Sequence, residues 1–159
     1  AASENIGREE SHYSMYQGNV FYQTRTHGSQ MITARLDGQV AFAHYIPSAE
    51  RFYIGGAQSV RGYEESLLGG DSGYAASIEY AFPMLPKSCA YGFLFYDCGA
   101  VYGDSAFDDY ILSSWGLGIR TAASDPVYAQ FSVGFPLCKE LNDTNTKGAR
   151  LHFSLNATL

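Results

Sequence analysis

The sequence predicts an all-β protein of antiparallel strands, built as a portion of a transmembrane β-barrel. Three observations predict it. Segment after segment alternates apolar and polar residues with a period of two, the pattern of strands whose two faces meet different surroundings. The connections between these segments alternate between short and long. Mean hydropathy is only -0.16 although aromatic residues reach 15% of the chain. A barrel places its lipid-facing residues at alternate positions and so dilutes the average. No run approaches the ~18 apolar residues of a membrane-spanning helix.

The first seventeen residues are polar and carry both signs of charge, which reads as a loop entering a strand near Tyr13. Residues 19–27 (NVFYQTRTH) follow as a strand, and Gly28-Ser29 marks a turn. From Gln30 to Ala43, Ile32, Ala34, Leu36, Val40 and Phe42 share one face, opposite Thr33, Arg35, Asp37 and Gln39. Residues 73–84 place Ala76, Ile78, Tyr80 and Phe82 opposite Ala75, Ser77 and Glu79, and Pro83 and Pro86 then enforce a turn. A long strand over 89–102 carries Asp97 on the face of Phe93 and Phe95. Strands at 110–122, 127–138 and 149–159 complete the pattern, the last two being the most regular.

The connections near 27–30, 84–88 and 122–126 are short, whereas those at 44–72, 103–109 and 139–148 are longer and more polar. Outer-membrane barrels alternate in this way, with short periplasmic turns and long external loops. A Greek-key sandwich has no reason to. The chain would then end on the periplasmic side. About seven strands are visible, and bacterial barrels usually have an even number of at least eight. Either residues 1–17 hide another strand, or the chain is the C-terminal part of a larger barrel.

The formal charge of -6 and pI of about 5.0 give no basic footprint for nucleic acid. The opening stretch AASENIGREESHY lacks the apolar core of a secretory signal. Cys89 and Cys98 would lie roughly 30 Å apart along one strand, and Cys138 belongs to a strand not adjacent to theirs. All three are expected to be free thiols, with no Cys/His spacing for a metal and no cofactor implied.

The stretch Arg51–Tyr74, RFYIGGAQSVRGYEESLLGGDSGY, organises the rest. It is rich in glycine, yet Phe52, Tyr53, Ile54, Val60, Tyr63, Leu67 and Leu68 call for burial. A long loop with its own apolar anchors is usually a working part. Lipid exposure of an arginine costs ~2–4 kcal/mol at the bilayer midplane, so Arg61, Glu79 and Asp97 should face the lumen. A loop folding back inside could set Arg61 against Asp97, with Glu79 nearby. Alternatively, Arg61 is a solvated loop-tip residue and Asp97 one polar lumen residue among others; composition leaves both open. Gly70-Asp71-Ser72-Gly73 matches a serine-protease nucleophile motif, but His44 lies too close in sequence for the two-barrel arrangement that such a triad needs.

The loop FYIGGAQSVRGY followed by GGDSGY resembles the hallmark loop of TpsB transporters, the haemolysin-activator type of two-partner secretion. Val60-Arg61-Gly62-Tyr63 matches the signature tetrad of the pore-inserted loop, and Phe95-Tyr96-Asp97 the F-x-D motif of the strand receiving it. The similarity runs from about Gln30 to the C-terminus. It implies the last 7–8 strands of a roughly sixteen-stranded barrel in the outer membrane of a Gram-negative bacterium, with residues 44–72 as the pore loop. The periplasmic POTRA domains, earlier strands and plug helix of that family are absent from this sequence. Its function would be non-enzymatic export of a large exoprotein, a haemolysin or adhesin, with outer-membrane lipid as the other partner. Arg61 would hold the loop through Asp97, helped by Glu79. The same superfamily contains barrel-assembly proteins; the compact loop and the GGDSGY spacing favour the secretion branch. A small self-contained barrel with a structural or adhesive role is a further alternative, requiring closure between first and last strands.

Overall fold

The computed structural model describes residues 14–42, 46–84, 89–103, 110–121, 127–138 and 148–157. Seven antiparallel strands form one sheet: β1 (Met15–Arg25), β2 (Met31–Ala41), β5 (Ser72–Pro83), β6 (Ala90–Tyr102), β7 (Tyr110–Thr121), β8 (Val127–Pro136) and β9 (Arg150–Ala157). They pair in the order β1-β2-β5-β6-β7-β8-β9, a meander broken only by a long insertion between β2 and β5. Within that insertion, β3 (Phe52–Ile54) and β4 (Leu68–Gly70) form a separate two-stranded ribbon. Among the described residues β1 and β9 are the unpaired edges, so the sheet is a portion of a barrel wall.

Two expectations change. The strand expected near Tyr13 and the one at 19–27 are a single strand, β1, which begins at Met15 and pairs with β2 along its whole length. Tyr13 itself lies outside the described residues. The glycine-rich stretch, expected as a loop, contains β3 and β4: Gly55, Gly56 and Gly62 lie in the connection between them, while Gly69 and Gly70 belong to β4 itself. The turn at Gly28-Ser29 is present, both residues having positive φ.

Alternation decides which face is inside. On β6, Asp97 is fully buried while Leu94 and Tyr96 beside it are 49% and 45% exposed. The same holds on β7, where Ile111, Trp115, Leu117 and Ile119 are exposed and Leu112 and Ser114 are buried. The exposed large side chains of that face, among them Val20, Ile78, Leu94, Trp115, Phe131 and Phe153, are apolar or aromatic, as a lipid-facing wall requires. β5 and β6, of 12 and 13 residues, are long enough to cross a tilted apolar band about 25 Å tall.

The buried core lies on the inner face, between the wall and the insertion. Ile54, Val60 and Tyr63 from the loop pack with Ala75, Val101 and Leu112 from β5, β6 and β7. The loop is therefore folded against the lumen side of the sheet rather than standing off the rim, and its apolar anchors supply the contact.

Candidate functional site: a loop docked in the barrel lumen

The register of the wall builds the receiving surface. Ser77 pairs with Asp97, and Asp97 with Ser114, in one row across β5, β6 and β7. The next lumen row carries Glu79, Phe95, Gly116 and Gly134, and the one beyond it Ala81, Phe93, Gly118, Ser132 and His152. Period-two geometry thus brings two carboxylates and two aromatic rings from neighbouring strands into one patch.

The tip of the loop reaches this patch. Arg61 Nε donates to Asp97 Oδ2 at 2.8 Å and Nη2 to Oδ1 at 2.9 Å, a bidentate pair. The Arg61 backbone N–H also donates to Oδ2, at 3.0 Å. Ser77 Oγ donates to Oδ1 at 2.6 Å and accepts from Arg61 Nη2 at 3.2 Å. Asp97 thereby receives a donor along each of its available lone-pair directions, which is what makes a fully buried carboxylate tolerable. Glu79 Oε2 stands farther off, 3.3 Å from Arg61 Nη1. The guanidinium carbon sits 3.5 Å from the centre of the Phe95 ring, stacked on its negative face.

Burial of the Arg61 guanidinium works against its charge. The hydrogen bonds and charge of Asp97, and then of Glu79, outweigh that penalty and hold the group above its ordinary range. Arg61 is a cation at any physiological pH.

The other tetrad residues lock the backbone. Val60 is fully buried in the core cluster. Gly62 has φ +104, and a Cβ there would come within 3.2 Å of the β8 backbone and of Ser114. Tyr63 donates its hydroxyl to the Ser113 carbonyl at 2.8 Å and accepts from the Cys138 N–H at 3.1 Å, pinning the loop to β7 and to the end of β8. Burial pushes the Tyr63 phenol up from its ordinary value. Behind the tip the loop is stitched to itself: Glu65 accepts from the Ala57 N–H at 2.7 Å, and the Gly55 N–H donates to Ser59 Oγ at 2.8 Å.

Every sequence-predicted site residue, Val60, Arg61, Gly62, Tyr63, Glu79, Phe95 and Asp97, lies in or against this one cluster. Sequence reasoning missed Arg120, which pairs through Nη1 with Glu79 Oε1 and stands 5.2 Å over the Phe93 ring. It also missed what Gly116, Gly118 and Gly134 do. The signal was available: Phe93-Leu94-Phe95 on β6 faces Gly116-Leu117-Gly118 on β7, and a side chain at either glycine would overlap the opposite ring. Cys89 and Cys98 carry free thiols.

The Omp85 superfamily domain matches residues 5–158. The chain belongs to the Omp85 superfamily. It is therefore part of an outer-membrane β-barrel of a Gram-negative bacterium, within a family of transporters and assembly factors. Among solved structures, this Omp85 chain resembles CdiB from Acinetobacter baumannii with a TM-score of 0.79 and 27% identity, over 92% of this chain and 27% of that one. In sequence it is 33% identical over 124 residues to the outer membrane protein assembly factor BamA of Nitratidesulfovibrio vulgaris, covering 69% of this chain and 15% of BamA. The chain thus spans well under half the length of either relative.

Proposed function

We propose that this chain forms the pore-loop-bearing part of a TpsB transporter, which passes an unfolded exoprotein of the haemolysin or adhesin kind across the outer membrane. The observation that carries the reading is the docked tetrad: Arg61 clamps Asp97 with two parallel hydrogen bonds inside the lumen, on a loop that spans the inner face of β5 to β8. A loop so placed obstructs the channel while docked and clears it only by giving up the buried Arg61–Asp97 pair together with its apolar contacts and the Tyr63 hydrogen bonds. That makes it a gate whose release is coupled to a buried charge pair. The structural likeness to CdiB, which extends over 92% of this chain, supports this branch.

The test is charge reversal in the full-length protein. Arg61→Glu is expected to abolish exoprotein secretion while the barrel still inserts, and Asp97→Arg added to it is expected to restore part of the export. Normal secretion by Arg61→Glu removes the pairing from the mechanism.

The sequence likeness to BamA favours a second reading, that the chain belongs to a barrel-assembly factor. Depletion separates the two. Loss of one secreted protein with other outer-membrane proteins unchanged marks a transporter; a general fall in folded outer-membrane barrels marks an assembly factor.

A further inference from the structure

The lumen patch carries a second cation on a second ring. Arg120 on β7 lies over Phe93 as Arg61 lies over Phe95, and each ring occupies the space left by the glycine across from it on β7. Between the two tiers stands Glu79. Its Oε1 is taken by Arg120 Nη1 in the closer contact, and its Oε2 is 3.3 Å from Arg61 Nη1. Glu79 thus divides its two oxygens between Arg120 and Arg61. The four groups, Arg61, Arg120, Asp97 and Glu79, balance in charge.

The geometry points to Arg120 as a positioning residue that weakens the hold of the lumen on Arg61 and so keeps the loop releasable. Two effects act in the same direction. Arg120 shares Glu79 with Arg61, and without Arg120 the whole charge of that carboxylate would act on Arg61. Arg120 is also a fixed positive charge near the docked guanidinium, and it repels that guanidinium across a poorly screened interior. Arg120 cannot itself leave, because it is borne on the wall between Ile119 and Thr121 rather than on the loop. The wall therefore carries its own competitor for the loop's secondary partner, in addition to the primary one at Asp97. This inference rests on the reading that loop release matters for transport.

Hydrogen exchange of the loop segment 55–64 in the intact outer-membrane protein, reconstituted in lipid nanodiscs, tests it. Arg120→Gln is expected to slow exchange in that segment, on the order of tenfold. Glu79→Gln added to it is expected to return exchange to the wild-type rate, because the released carboxylate is then gone. Arg120→Lys keeps the charge on Glu79 while giving up the stacking on Phe93, and is expected to stay close to wild type. A merely structural role for Arg120 predicts the opposite sign, with faster exchange in the loop and in β5 and β7 together. Unchanged or faster loop exchange in Arg120→Gln overturns the proposal. Secretion measured on the same variants keeps the two readings apart: slowed loop exchange with undiminished export upholds the role of Arg120 on the loop and removes the transport reading instead.

Discussion

Arg61 and Asp97 meet through three hydrogen bonds, two from the guanidinium and one from the Arg61 backbone N–H, so a single carboxylate fixes both the side chain and the path of the loop. The pair is intramolecular but non-local, 36 residues apart, and forms only when the loop is packed against the lumen.

Asp97→Asn should therefore undock the tip without changing the shape of the wall. The amide keeps the volume of the carboxylate but has lost its charge, and its NH2 faces donors already aimed at it. A buried guanidinium left without its partner costs about 3–5 kcal/mol, more than the local hydrogen bonds of the loop can offset. Exchange of amides 55–64 should approach that of exposed loops, while β5 and β6 stay protected. Arg61→Lys should fall between, since an ammonium keeps the charge but cannot fork onto two oxygens.

Phe95→Leu isolates the stacking. Cation–π contact on a desolvated ring contributes about 2 kcal/mol, which is roughly thirtyfold in the docking equilibrium. With Asp97 intact, loop exchange should rise by about that factor. An increase as large as that of Asp97→Asn would mean that the ring positions Asp97 as well.

Much of this arrangement was legible in the sequence because period-two alternation assigns faces without coordinates. Asp97, Phe95 and Phe93 had to share a side, as did Ser77 and Glu79, and a charge on either had to point away from lipid. What alternation cannot supply is register. That Glu79 falls level with Phe95 and Gly116, and Asp97 with Ser77 and Ser114, depends on how β5, β6 and β7 slide past one another. For that reason nothing in the sequence joins Arg120 to Glu79. The ribbon of β3 and β4 was missed for a different reason: three-residue strands are too short to show a period.

Alkaline pH should loosen the loop through Tyr63. Burial raises its phenol above the usual value near 10, whereas in the undocked loop it ionises at that ordinary value. Docking is then at full strength below about pH 10 and declines as pH rises through the higher docked value. Arg61 does not contribute, being held above its own ordinary range. A spin label at Gln58 should report a docked loop at pH 7 and 9 and growing mobility above 10. Tyr63→Phe should dock more weakly by about 1 kcal/mol at neutral pH and show little of the alkaline step. Parallel alkaline loss in both proteins would assign the step to another group.

Gly134→Ala tests whether the backbone of the loop truly lies on β8. A Cβ at Gly134 would stand 2.5 Å from the Gly62 nitrogen and 2.8 Å from the Arg61 carbonyl carbon, distances that no side-chain rotation relieves because both atoms are backbone. Gly62 cannot retreat by changing φ either, since its own left-handed geometry is what turns Arg61 toward Asp97 and Tyr63 toward Ser113. One methyl group should then displace the tip and cost about 1–3 kcal/mol of docking, with no charge altered anywhere. Gly18→Ala on β1 is the control, because a Cβ there meets nothing within 4 Å. Gly134→Ala should raise loop exchange and reduce the alkaline effect of Tyr63, while Gly18→Ala should match wild type in both. If Gly134→Ala leaves the loop fully protected, its tip does not rest on β8, and the two anchors of Tyr63 cannot be satisfied together.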